Sequence, residues 1–205
     1  MNLPRRLTIV ALALLGAIGQ PLAAEAQIGV KGGLSSAIIS FDPESGSPEL
    51  TETRYRNGWV AGVSLLLTGS QMGGWQIEFL FQQKGARNLL RVDDELSLAY
   101  FEIPVLLHVD VWQGSKDKAL FVVVGPSLAF NVLADYETDG VREDVKDDIA
   151  TTDVGLHVGG GFEFGRATLD ARYSWGFLNA FESGEPAGTF RNRAFAVTFG
   201  LRFGR

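Results

Sequence analysis

RAFAVTFGLRF, residues 193–203, decides the fold. Phe195, Val197, Phe199, Leu201 and Phe203 share one parity, and Ala194, Ala196, Thr198, Gly200 and Arg202 share the other. A period of two is the signature of a β-strand with one apolar face. Here the apolar face is bulky and aromatic, and the opposite face is small or charged. The same division returns along the chain. Trp75, Ile77, Phe79 and Phe81 oppose Gln76, Glu78 and Gln82. Phe101, Ile103, Val105, Leu107, Val109 and Val111 oppose Glu102, Pro104, His108 and Asp110. Val154, Leu156, Val158, Phe162 and Phe164 oppose Asp153, His157 and Glu163, and Leu169, Tyr173, Trp175 and Phe177 oppose Asp170, Arg172 and Ser174. The stretch ALFVVVGPSLAFNVL (119–133) is apolar on both parities and leaves its own orientation open.

This pattern predicts eight strands, at about 27–41, 55–68, 74–88, 97–112, 118–133, 151–164, 167–180 and 191–203. Long connections fall at about 42–54, 88–97, 134–150 and 181–190, and short ones at about 69–73, 113–117 and 165–166. An alternation of short and long connections is what an up-and-down membrane barrel shows, with the long set outside. Parity alone does not say which face is inside, and a soluble, lipocalin-like barrel would turn the apolar face inward. Three features favour the membrane version. The polar parity is rich in Gly, Ala and Ser, which suits a crowded lumen. Lys is nearly absent from it. Trp75, Phe164 and Phe203 fall near one predicted rim and Trp59 and Trp175 near the other, as aromatic girdles do. The expected fold is all-β: a closed eight-stranded antiparallel up-and-down transmembrane β-barrel.

The N-terminus reads as a cleavable export signal. Arg5 and Arg6 precede an apolar run, Leu7 to Gly19, that is too short for the roughly 20 residues of a spanning helix. Ala24-Glu25-Ala26 is a small-x-small cleavage site, so the expected division is a signal peptide over 1–26 and a barrel over 27–205. Loss of Arg5, Arg6 and Glu25 takes the net charge from −6 to −7. With a pI near 5.0, this argues against nucleic acid as a partner. The absence of Cys excludes disulfides, thiol catalysis and a lipid-anchored cysteine.

IGVKGGL (28–34), YFEIPVLLHVDV (100–111), GPSLAF (125–130) and GLHVGGGFEFGRATLDARYSWGFLNAF (155–181), with the closing RNRAFAVTFGLRF (191–203), resemble the outer-membrane β-barrel domain family, whose members are often labelled porin family proteins. The resemblance runs over essentially the whole mature chain. It implies an outer-membrane location in a Gram-negative-type cell. It also implies a monomer among outer-membrane lipid and lipopolysaccharide, delivered by the barrel-assembly machinery. It supplies no catalytic residues.

The charges of lumen parity are Lys31, Glu78, Lys84, Glu102, His108, Asp110, Asp153, His157, Glu163, Asp170, Arg172 and Arg202. In a narrow barrel they are expected to pair with one another and fill the lumen, because an unpaired buried charge is costly. Asp170 faces Arg202 if the last hairpin centres near residue 186, and Lys84 faces Glu102 if the 88–97 hairpin centres near residue 93. No metal site and no cofactor are expected: the two His residues lie on different strands, and there is no HExxH. GxSxG, P-loop and GxGxxG motifs are also missing, so an enzyme is not expected. The acidic stretch Asp135, Glu137, Asp139, Glu143, Asp144, Asp147 and Asp148, with Glu44, Glu49 and Glu52, could capture divalent cations; the preferred reading is a solvated, flexible loop. The expected role is structural or surface-interactive. A small-solute conduit stays open, as does a lipid A-modifying enzyme, though that would need a His on the lipid side.

Overall fold

In a computed structural model, residues 25–43, 53–70, 73–88, 94–114, 118–181 and 188–204 are described. Most of the expected signal peptide, and the loop acids Glu44, Glu49 and Glu52, lie outside these residues. The strands are β1 (Glu25–Pro43), β2 (Arg54–Ser70), β3 (Gly73–Arg87), β4 (Glu95–Gln113), β5 (Lys118–Thr138), β6 (Val141–Asp144), β7 (Thr152–Phe164), β8 (Ala167–Gly176) and β9 (Gly188–Phe203). Each neighbour pair is antiparallel, in the order β4-β3-β2-β1-β9-β8-β7-β5, and a further β4–β5 pairing closes the ring. Eight strands therefore form a closed barrel. The seam joins the two ends of the described chain, from Ile28 opposite Phe203 to Pro43 opposite Gly188.

The outer wall follows the expected parity. Leu34, Phe79, Leu107, Val158, Leu169, Phe199 and Phe203 are all exposed on it. β5, undecided by its sequence, turns Leu120, Val122, Val124 and Leu128 outward, and Phe121, Val123, Ser127 and Ala129 inward. Aromatic rings stack along the wall, Trp59 on Phe81 at 5.1 Å and Phe79 on Phe101 at 6.3 Å between centroids. Closure needs close strand approach in places. At Gly33 and Gly62 a Cβ would meet the carbonyl oxygens of Val197 and Phe79, so only hydrogen fits there.

Two expectations need correction. The stretch 134–150 is not merely a flexible loop. β5 runs on to Thr138, turns at Asp139-Gly140 and pairs back through β6, with Thr138 opposite Val141. Both turn residues have positive φ, 50° and 77°, as a two-residue Asp-Gly hairpin requires. A 3-10 turn over Lys146–Asp148 follows, and Ile149 then folds inward to bridge Phe181. The seventh barrel strand is also shorter than its parity suggested. It stops at Gly176, and the backbone beyond it tucks under the rim, where the Ala180 amide donates to the Phe190 carbonyl at 2.8 Å.

The lumen is layered. At the end carrying the long connections, Ile39, Leu96, Leu98, Tyr100, Ile149 and Phe190 form a buried apolar cluster, each 1% exposed or less. Below it lie the charged side chains. A second small apolar group, Leu106, Phe121 and Val123, lines the wall toward the short-turn end. The outer cluster was not foreseen, because its members come from the frayed ends of strands, where the parity of any one strand is shortest.

Candidate functional site

Alternate residues of the strands deliver all twelve predicted lumen charges to the interior, where each is buried or half-buried. They form three groups. In the central group, Lys31 Nζ lies 3.2 Å from Glu78 and 2.7 Å from Asp170. Arg172 bonds Glu78 through both Nη atoms, at 2.5 and 3.0 Å, and its Nε lies 3.0 Å from Asp170. Two cations and two carboxylates close a neutral ring contributed by three strands, β1, β3 and β8. Such a buried cluster is tolerable only when fully paired.

In the outer group, Glu102 is the hub. Lys84 Nζ lies 3.2 Å away, His157 Nε2 at 3.0 Å, and Ser127 Oγ donates at 3.0 Å. Above it, Asn192 donates its amide to Asp153 at 3.3 Å and to the Tyr100 hydroxyl at 3.2 Å. In the inner group, nearest the short turns, Arg202 Nη1 is bonded to Glu163 and Nη2 donates to Gln76 at 3.3 Å. His108 lies between Gln76, Asp110 and Glu163. A cavity of about 20 Å³ borders the central and outer groups, lined by Lys31, Gln82, His157, Arg172 and Thr198. It is large enough for about one water.

Of the two pairs predicted across hairpins, one is replaced and one forms by another route. Asp170 stands opposite Thr198, so the last hairpin centres on residue 184 and not 186. Asp170 therefore meets Lys31 and Arg172, while Arg202 meets Glu163. Lys84 stands opposite Leu98, and Leu80 opposite Glu102, yet Lys84 still reaches Glu102 diagonally. Gln76, Ser127, Tyr100 and Asn192 complete the network and were not among the predicted site residues. Asn192 shares its parity with Ala194 through Arg202, so the same reading extended two residues would have included it.

At the outer rim, beyond the roughly 9–11 residues of a strand needed to span a bilayer, Glu95 bridges Arg56 and Arg87, each at 2.8 Å. Burial pushes its carboxyl up, but the two guanidiniums outweigh that and hold it below the usual carboxylate range. Nearby, the Tyr136 hydroxyl donates to Asp94 at 2.7 Å. The acids of 135–148 stay mostly exposed, with Arg142 between Glu137 and Asp135.

No described His lies on the outer wall; His108 and His157 are both inside. A Ser–His–acid set working on lipid from the barrel exterior has no base among the described residues.

The profile of the family described as "Outer membrane protein beta-barrel domain" matches residues 19–182. A search of curated proteins finds no match. Among solved structures, Neisserial surface protein A is similar at 14% identity and a TM-score of 0.50, over 86% of this chain and 97% of that one. OprG from Pseudomonas aeruginosa is similar at 11% identity and 0.50, over 89% and 98%. Ail, the attachment invasion locus protein of Yersinia pestis, is similar at 14% and 0.45, over 87% and 99%. At these identities the likeness is one of fold.

Proposed function

This chain belongs to the outer membrane protein β-barrel domain family, and we propose that it serves the membrane as a closed, non-conducting barrel with a structural and surface-interaction role. Its place is the outer membrane of a Gram-negative-type cell. The observation that carries the non-conducting reading is the stacking of two fillings in one lumen. The neutral ring of Lys31, Glu78, Asp170 and Arg172 fills the middle, and the apolar cluster of Ile39, Leu98, Tyr100, Ile149 and Phe190 fills the outer end. An eight-stranded barrel has an interior just wide enough for its own side chains. A solute would have to break buried ion pairs and then cross a layer that offers its polar groups few partners.

The surface role rests on the ends of the strands. β5 has 21 residues and β4 has 19, about twice the 9–11 that a spanning strand needs. The excess stands above the lipid with β6 and the acidic rim. The partners of this reading are outer-membrane lipid and lipopolysaccharide around the wall, and the barrel-assembly machinery during export. The barrel acts as a monomer, does not bind nucleic acid and is not an enzyme.

Planar-bilayer recording of the purified protein tests the reading. It predicts no steady conductance of solute size, and the same silence after solute gradients are applied. A stable open channel in the unmodified protein would replace this reading with that of a small-solute conduit.

A further inference from the structure

We propose that His108, Asp110 and Glu163 form a binding site for a divalent transition-metal ion at the short-turn mouth of the lumen. The site goes beyond the role proposed above and does not depend on it. His108 and Asp110 share the inner face of β4, and Glu163 comes from β7, with β5 between them. His108 Nε2 lies 3.2 Å from Asp110 Oδ1 and 3.6 Å from Glu163 Oε1, and the three donor atoms all fall within 4.8 Å of one another. A tetrahedral ion with bonds of about 2.0–2.1 Å places its ligand atoms roughly 3.3 Å apart. The two distances from the imidazole already match, and a small closing movement of the carboxylates completes the set.

The hydrogen-bond network also fixes which ring nitrogen is available. The Gln76 amide nitrogen donates to Glu78 Oε1 at 2.5 Å, so its oxygen points the other way and accepts from Arg202 Nη2. That oxygen lies 2.9 Å from His108 Nδ1, which must then carry the hydrogen. Nε2, on a residue only 2% exposed, is left to aim a lone pair at two carboxylate oxygens. Arg202 Nη1 is bonded to the same Glu163 Oε1 and offsets part of the resulting repulsion; between Nε2 and Asp110 Oδ1, 3.2 Å apart, a proton or a cation is needed to relieve the rest. A proton on Nε2 satisfies one oxygen at a time, whereas a metal ion takes all three donors at once. Gln113 Nε2 donates to Asp110 Oδ2 at 3.1 Å and leaves Oδ1 for the ion, and the imidazole stacks on Phe121 at 4.5 Å. An orienting outer shell of this kind is typical of metal-ligating histidines. Asp110 and Glu163 are about one-fifth exposed, which provides an entry path and room for water as a further ligand. One imidazole and two carboxylates suit Zn²⁺, Co²⁺ or Mn²⁺ better than Ca²⁺ or Mg²⁺. Arg202 shares Glu163 and tempers the affinity, so micromolar binding is expected. Bound there, the ion would tie β4 to β7 across β5.

The test uses the full mature protein folded in detergent, stripped with chelator, and titrated calorimetrically with Zn²⁺ near neutral pH. Co²⁺ absorption gives a second readout. One ion per barrel is expected, with excess Ca²⁺ failing to displace it. Asp110→Asn, which keeps the side-chain shape, and Glu163→Gln should each weaken binding by about tenfold or more, as should His108→Gln. The double variant Asp147→Asn/Asp148→Asn should leave it unchanged. Gel migration with and without heating confirms that each variant is folded, and any one folded ligand variant suffices for the comparison. The absence of saturable one-to-one uptake overturns the proposal. So does uptake that survives the ligand variants or is lost with the acidic-rim variant.

Discussion

Glu78 is the most demanding residue in the lumen, and its removal gives the sharpest test of how the barrel is held. It is completely buried and accepts from Arg172 twice, from Lys31 and from Gln76. Glu78→Gln keeps the volume but leaves Lys31 and Arg172 with only Asp170, one net positive charge in a closed lumen. Arg172→Met leaves Glu78 and Asp170 with only Lys31, one net negative charge. Breaking one partner of a buried pair costs about 3–5 kcal/mol, so each single variant should fall in that range. Independent losses would sum to about 6–10 kcal/mol, enough to unfold a protein whose total stability is about 5–15 kcal/mol. The two changes are not independent. Together they leave Lys31 and Asp170, already 2.7 Å apart, as a matched pair. The double variant should therefore cost about as much as one single change, with a coupling of at least about 2 kcal/mol. Urea titration of the protein folded in phospholipid vesicles, followed by tryptophan fluorescence, measures all four corners of the cycle. Additivity within about 0.5 kcal/mol would refute the ring. Single variants costing under about 1 kcal/mol would refute it differently, by showing a lumen wet enough to solvate the charges.

The same assay separates the register found here from the one the sequence suggested. Asp170→Ala and Arg202→Ala should behave nearly additively, because each residue has its own partners; a coupling as large as that of Glu78 with Arg172 would restore the direct Asp170–Arg202 pair. On the outer wall, Leu107→Arg and Phe199→Arg should each cost about 2–4 kcal/mol near the bilayer midplane, and Thr198→Val inside should cost less. Neutral wall variants with a severe Thr198→Val would mean that the faces are reversed.

The fold was legible because a membrane barrel writes one simple rule into every strand. Phe199 is bulky and Gly200 small for the same reason that Leu107 is apolar and His108 polar: one meets lipid, the other a narrow interior. That rule is local, needs no knowledge of neighbours, and assigned all twelve lumen charges to the inside. It failed to orient β5 because Val122 and Val123 are alike, and only the surrounding wall decides that Val123 joins Leu106 inside. It missed the Asp139-Gly140 hairpin for a different reason. Acidic composition suggested a solvated loop, while the strongest local hairpin signal in the stretch was the turn dipeptide itself.

What parity cannot supply is register, and the site depends on register. A slip of four residues in the last hairpin preserves every side chain's face but changes its partner, moving Asp170 from Arg202 to Lys31 and Arg172. The inner group makes the point more strongly. The sequence argues against a metal site because its two His residues, His108 and His157, lie on different strands. A closed barrel of eight strands has no distant strands. Its lumen is so narrow that β4 and β7, with β5 between them, bring an imidazole and a carboxylate within 3.6 Å. Sequence spacing is a sound guide to metal sites on one helix or one loop, where neighbours in the chain are neighbours in space. In a barrel the ligands converge from around the ring. The relevant spacing is then the height of each residue above the short turns: Glu163 stands beside the β7–β8 turn, and Asp110 and His108 lie three and five residues before β4 ends at Gln113. Residues of lumen parity at a common height are the ones to test together.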